Sequence, residues 1–145
     1  LRERIILRNC QKHRPVVLHR GILGTMERFT AFLLENFAGN LPLWLAPVQA
    51  KVLPVSSNFD AYARQVEDKL RAAGIRAESD LRNEKLGYKI REAQLEKLPY
   101  MLVVGENEQS AGTVSVRKRG QGDLGAKAVE EVIAQLQEEI RNHVI

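Results

Sequence analysis

The sequence predicts an α/β fold, a mixed and mostly parallel β-sheet flanked by three helices, with one more helix ahead of it. Three observations lead there. From residue 50 onward, short apolar runs alternate with amphipathic stretches of helical period. The run Tyr100 to Val104 (YMLVV) is apolar throughout, as in a central strand covered on both faces. The segment from Glu106 to Gly112 is a short polar turn, which allows an antiparallel pair where the other strands, separated by helices, must pair in parallel.

Each element has its own warrant. Between Gly21 and Gly39 the residues Ile22, Met26, Phe29, Leu33 and Phe37 recur three or four apart, which reads as an amphipathic helix stopped by Gly39. Pro42 and Pro47 then forbid a long regular element, so residues 40–49 read as a linker with Trp44 as a bulky anchor. Lys51 to Val55 is the first strand. Ser56 to Asn58 offers an N-cap for a helix over Phe59 to Ala73, with Phe59, Tyr62, Val66 and Leu70 on one face and Gly74 as its stop. Ile75 to Asp80 is the second strand, and Leu86 to Leu98 the second helix, ended by Pro99. Tyr100 to Val104 and Thr113 to Lys118 are the third and fourth strands, the latter alternating Val114 and Val116 with polar neighbours. A last helix runs from Ala126 to His143, with Val129, Val132, Ile133, Leu136 and Ile140 as its apolar face. Ligands of such sheets are expected at the carboxyl ends of the strands.

Composition narrows the classes. With 145 residues, 44% of them hydrophobic and 28% charged, the chain can bury a core, and disorder or a collagen-like repeat is excluded. A lone cysteine, Cys10, makes no internal disulfide, no apolar run approaches a membrane span, and no signal peptide leads the domain. A soluble, cytoplasmic protein is the expectation, and a start at Leu1 rather than Met suggests a piece of a longer one. The net charge of +4 is uneven, for residues 1–58 hold 8 Lys+Arg against 3 Asp+Glu, whereas residues 59–145 hold 14 against 15. A basic balance favours a polyanionic partner.

Two segments are too polar for packing alone. In LRNEKLGYKIREAQ the groups Arg82, Asn83, Glu84, Lys85, Lys89 and Arg91 make a basic lip where the chain leaves a strand for a helix. In GTVSVRKRG, Arg117, Lys118 and Arg119 close the antiparallel strand, and both sets, with Glu108, are expected at the same sheet end. Cys10, His13 and His19 are spaced C-x2-H-x5-H, which matches no established zinc pattern. A small nucleotide-binding enzyme of flavodoxin-like form is disfavoured, because no P-loop or GxGxxG follows the first strand. A stand-alone adaptor that binds RNA or protein without catalysis remains the alternative.

These residues resemble a known family. HRGILGTMERF, LPLWLAPVQ, GIRAESDLRNEKLGYKIREAQ, PYMLVVG and GTVSVRKRG are similar, in order and spacing, to the threonyl-tRNA synthetase family of class II. The resemblance covers residues 13–143 and includes the C-terminal anticodon-binding domain that histidyl, glycyl, threonyl and prolyl synthetases share.

The resemblance implies a division into a C-terminal remnant of the class II catalytic domain with its third motif (residues 1–39), a linker (40–49) and the anticodon-binding domain (50–145). It implies that Arg28 reaches the ATP phosphates and that Thr25, where the family usually has serine, bonds the adenylate. It makes His19 one ligand of a zinc ion that selects threonine by its hydroxyl, the other ligands lying upstream. The first two class II motifs are absent, so this chain alone is expected not to aminoacylate. The parent is expected to use ATP with magnesium, to act as a homodimer in the cytoplasm, and to charge tRNA(Thr). Asn83, Arg91, Glu108 and Arg117 correspond to residues that the family sets on the anticodon bases, whose unstacked Watson–Crick edges suit Arg donors, a Glu acceptor and an Asn that is both. Lys85, Lys89, Lys118 and Arg119 are expected on phosphate.

Overall fold

The computed structural model describes residues 20–144, together with the backbone of Ile5–Ile6 (β1) and Lys12–His13 (β2). The chain divides into two compact units, Leu1–Phe32 and Leu33–Ile145. In the first, β1 and β2 pair antiparallel, Ile5 opposite His13. The helix α1 (Met26–Asn36) begins four residues later than Ile22, where its apolar period starts. Thr25 accounts for that start, since its Oγ1 accepts the Arg28 amide at 3.3 Å, capping the first turn.

The second unit is built on a five-stranded sheet in the order β4-β3-β5-β6-β7. Its strands are β3 (Ala50–Pro54), β4 (Ala77–Ser79), β5 (Tyr100–Val104), β6 (Thr113–Lys118) and β7 (Gly122–Ala128). β3 pairs in parallel with β4 and with β5, whereas β5–β6 and β6–β7 are antiparallel. The expectation of a mostly parallel sheet is thus corrected to two parallel and two antiparallel pairings. The reason is β7, which occupies GDLGAKA, a stretch without apolar alternation. An edge strand is held by its ladder to one neighbour, and the hairpin that forms it rests on turn chemistry. The Gln121 amide donates to the Lys118 carbonyl at 3.2 Å, and Gly120 at the corner takes φ +80°, which side-chain-bearing residues rarely adopt.

Three helices cover the sheet as expected, α2 (Asp60–Ala72), α3 (Leu86–Leu95) and α5 (Val129–Arg141). A short helix, α4 (Glu106–Ala111), replaces the expected turn. Because side chains alternate across a strand, Val52, Tyr100, Leu102, Val104, Val114 and Val116 face one layer. There Ala63, Val66 and Leu70 of α2 and Val129, Val132 and Leu136 of α5 close over them. On the opposite face Leu53, Met101 and Val103 meet Ala93 of α3, with Leu86 and Ile90 beside it. Each fully buried Leu or Val contributes about 1.5–3 kcal/mol relative to exposure.

The proline-rich segment before β3 is packed rather than free. Gln49 is buried, its Nε2 donating to the Leu43 carbonyl and its Oε1 accepting the Arg76 amide, both at 2.9 Å. The Arg76 guanidinium donates to the carbonyls of Trp44 and Ala46.

Candidate nucleic-acid interface

The strand ends, one helix and one strand face position the polar residues. β4 ends at Ser79, and the turn that follows is shaped by Asp80, which is buried. Its amide donates to the Val52 carbonyl at 2.9 Å. Its carboxylate accepts Arg82 Nε at 2.8 Å and a terminal Arg82 nitrogen at 2.6 Å, and Arg82 also reaches Glu92 on α3. These hydrogen bonds from Arg82 hold Asp80 below the usual carboxylate range even though burial pushes the other way. The same partner lowers Glu92.

The basic lip is therefore largely neutralised from within. Arg82 is engaged by two carboxylates. Lys89, expected on phosphate, is 3% exposed, and its ammonium donates inward to the Asp80 carbonyl at 3.0 Å and the Pro54 carbonyl at 3.3 Å. Asn83, Lys85 and Arg91 are exposed, and neither Lys85 nor Arg91 has an ion-pair partner among the described residues.

The expectation that all these groups share one sheet end is corrected by the register. Lys118 lies opposite Tyr100 and Arg117 opposite Met101, so the basic end of β6 sits at the amino end of β5. Glu108 lies on α4, past the carboxyl end of β5. What Arg117 shares with α3 is a face of the sheet. Val114 and Val116 point under α2 and α5, so Ser115 and Arg117, alternating with them, point to the α3 side. On α3, Leu86, Ile90 and Ala93 face the sheet, and Arg91 shares a flank with Gln94 three residues on. Gln94 and Arg117 line the same groove of about 350 Å³, with Leu98 and Met101 among its apolar walls and Lys97 and Arg119 among its cations.

Glu108 is partly buried, and its Oε2 accepts the Gly105 amide at 3.0 Å, closing the first turn of α4. The Arg117 guanidinium meets Asp123 at 3.2 Å in an exposed pair, which is weak and open to exchange. Lys118 and Arg119, also expected on phosphate, have structural work. Lys118 pairs with Glu139 at 3.0 Å beside the Tyr100 ring. Arg119 donates to the carbonyls of Lys97, Asn40 and Leu41, and its burial pulls its pKa below the ordinary value. Glu92, which the sequence reads as the surface partner of Arg91, pairs with Arg82 instead, and residues that sequence reasoning passed over are Asp80, Gln94 and Lys97. Only Gln94 carried a signal, its helical spacing from Arg91.

Of the residues tied to catalysis, Thr25 and Arg28 are exposed at the start of α1. His19 and Cys10 lie outside the described residues, as does the side chain of His13. Among the described residues no three His, Cys, Asp or Glu side chains gather as a metal site.

Residues 49–139 match the family model described as an anticodon binding domain. The chain belongs to that family. The chain is 56% identical over 134 residues to a threonine–tRNA ligase of Syntrophomonas wolfei, covering 92% of the chain and 21% of the relative. A threonine–tRNA ligase of Chlorobaculum tepidum is 60% identical over 129 residues, 89% of the chain and 20% of the relative. Among solved structures, the RNA binding domain of threonyl-tRNA synthetase from Cryptosporidium parvum superposes with a TM-score of 0.76 at 38% identity, covering 88% of this chain and 32% of that one. The chain thus spans about a fifth of the length of the curated relatives it matches. The same likeness gives the mixed sheet with its covering helices as the fold of an anticodon-binding domain.

Proposed function

We propose that the chain is the C-terminal part of a threonyl-tRNA synthetase and that it reads the anticodon of tRNA(Thr). The observation that carries this reading is the 51–60% identity to threonine–tRNA ligases over about nine-tenths of the chain. The geometry agrees with it. Arg91 and Arg117 border one face of the sheet, and the exposed Asn83 and the partly free Glu108 carboxylate lie at its carboxyl ends. Splayed anticodon bases present donors and acceptors that these four groups complement. Phosphate contact falls to Lys85 and to arginines that can leave weak pairs, rather than to Lys89, Lys118 and Arg119.

The domain organisation that goes with this reading is catalytic remnant 1–39, linker 40–49 and anticodon-binding domain 50–145. In the full enzyme, a cytoplasmic homodimer, Arg28 would face the ATP phosphates and Thr25 the adenylate. The exposure of Arg28, without an ion-pair partner among the described residues, suits an anion held together with magnesium. Zinc, with His19 as one ligand, would need its remaining ligands from outside this chain.

The test is steady-state charging by the full enzyme. Arg117→Ala and Glu108→Gln are expected to lower kcat/KM for tRNA about 5- to 150-fold, the worth of one good base contact, while ATP–pyrophosphate exchange is unchanged. Glutamine keeps an acceptor for the Gly105 amide, so α4 stays capped. An equal fall in exchange would remove these residues from the anticodon.

A further inference from the structure

The loop between β4 and α3 is tied to α3 at two points three residues apart. At one, the buried Lys89 ammonium bridges the carbonyls of Pro54, the last residue of β3, and Asp80, the first residue after β4. No carboxylate pairs with it among the described residues, so its bonding is spent on main chain that would otherwise be left without partners. At the other, Glu92 takes Arg82, whose fork also grips the Asp80 carboxylate. Asn83 follows Arg82 in the loop, and Arg91 lies between Lys89 and Glu92 on the helix. The two groups that read bases are thus carried on the two halves of one buckle.

We propose that Lys89 and the Arg82–Glu92 pair are positioning residues for base recognition, setting Asn83 against Arg91, and that none of the three binds phosphate. This rests on the anticodon reading above. A loop held in its bound shape loses less freedom on binding, so loosening the buckle weakens base discrimination before it touches charge attraction.

Binding of the full chain is measured for a stem-loop with a threonine anticodon and for one with its second and third anticodon bases changed, over a salt series. Lys89→Met is expected to lower affinity for the first stem-loop about tenfold or more and to bring the two affinities together, one base contact being worth about 5- to 150-fold. The slope of log affinity against log salt stays as in the unaltered chain. Combined with Asn83→Ala, Lys89→Met adds little further, because both act on the same contact. Glu92→Gln leaves no buried carbonyl without a partner, and it moves discrimination in the same direction by less. A slope that falls by about 0.7 with discrimination intact would place Lys89 on a phosphate and overturn the proposal. So would additive losses in the double variant with discrimination kept, which is the outcome for a residue that only stabilises the fold. If the unaltered chain itself binds both stem-loops equally, the anticodon reading fails first, and that is visible without any variant.

Discussion

A single carboxylate, Asp80, organises the loop between β4 and α3, and it does so through charge. Its side chain is 3% exposed and bound by both forks of Arg82, an arrangement that lysine could not reproduce. Because these bonds hold its folded pKa below the ordinary value of about 3.9, the unfolded chain takes up the proton first as the pH falls. The stabilisation is therefore complete above the unfolded pKa and is lost as the pH drops through the folded one. Asp80→Asn should lower stability at neutral pH and flatten its dependence on pH below about 4, measured by urea unfolding across that range. An unchanged pH profile would mean that Asp80 titrates alike in both states.

Among the elements, the strands and helices with regular apolar spacing were legible. α2, α5 and β5 stand within a few residues of where their periods put them, since burial on one face or on two leaves a mark in composition. β7 left no such mark, as its pairing rests on one neighbour and on the corner glycine Gly120. Similarly, α4 is a single capped turn and a half, whose evidence is the reach of Glu108 back to Gly105. The site was half legible. Asn83, Arg91 and Arg117 stand where solvent can reach them, but an ammonium aimed at carbonyls looks in sequence like any surface lysine, as Lys89 does. The antiparallel hairpin also moves Arg117 to the amino end of β5, so that it shares a face of the sheet with α3 rather than an end.

Arg119 straps three segments together through the carbonyls of Lys97, Asn40 and Leu41. Arg119→Ala is expected to cost about 1–3 kcal/mol of stability, with the strapped carbonyls freed and the packed stem lost. Urea unfolding measures it, and the salt dependence of RNA binding should not change. A stable variant with a reduced salt slope would instead mark Arg119 as a phosphate ligand.

For the whole molecule, net charge is a poor guide to the interface. The +4 total is concentrated in residues 1–58, and in residues 59–145, with 14 basic against 15 acidic groups, most cations around α3 and the end of β6 are already bonded within the fold. The free or loosely paired cations there are Lys85, Arg91 and Arg117. On the proposed anticodon reading, hydrogen bonds to bases therefore carry more of the recognition than a field of positive charge. The central claim, that this chain reads an anticodon, is tested most directly by comparing its affinity for the threonine anticodon stem-loop with that for the loop altered at the second and third anticodon bases, from low to physiological salt. The expected result is at least about tenfold preference at every salt concentration, with a slope of log affinity against log salt no steeper than about −2. Equal affinity for both loops, with a steeper slope, would contradict it.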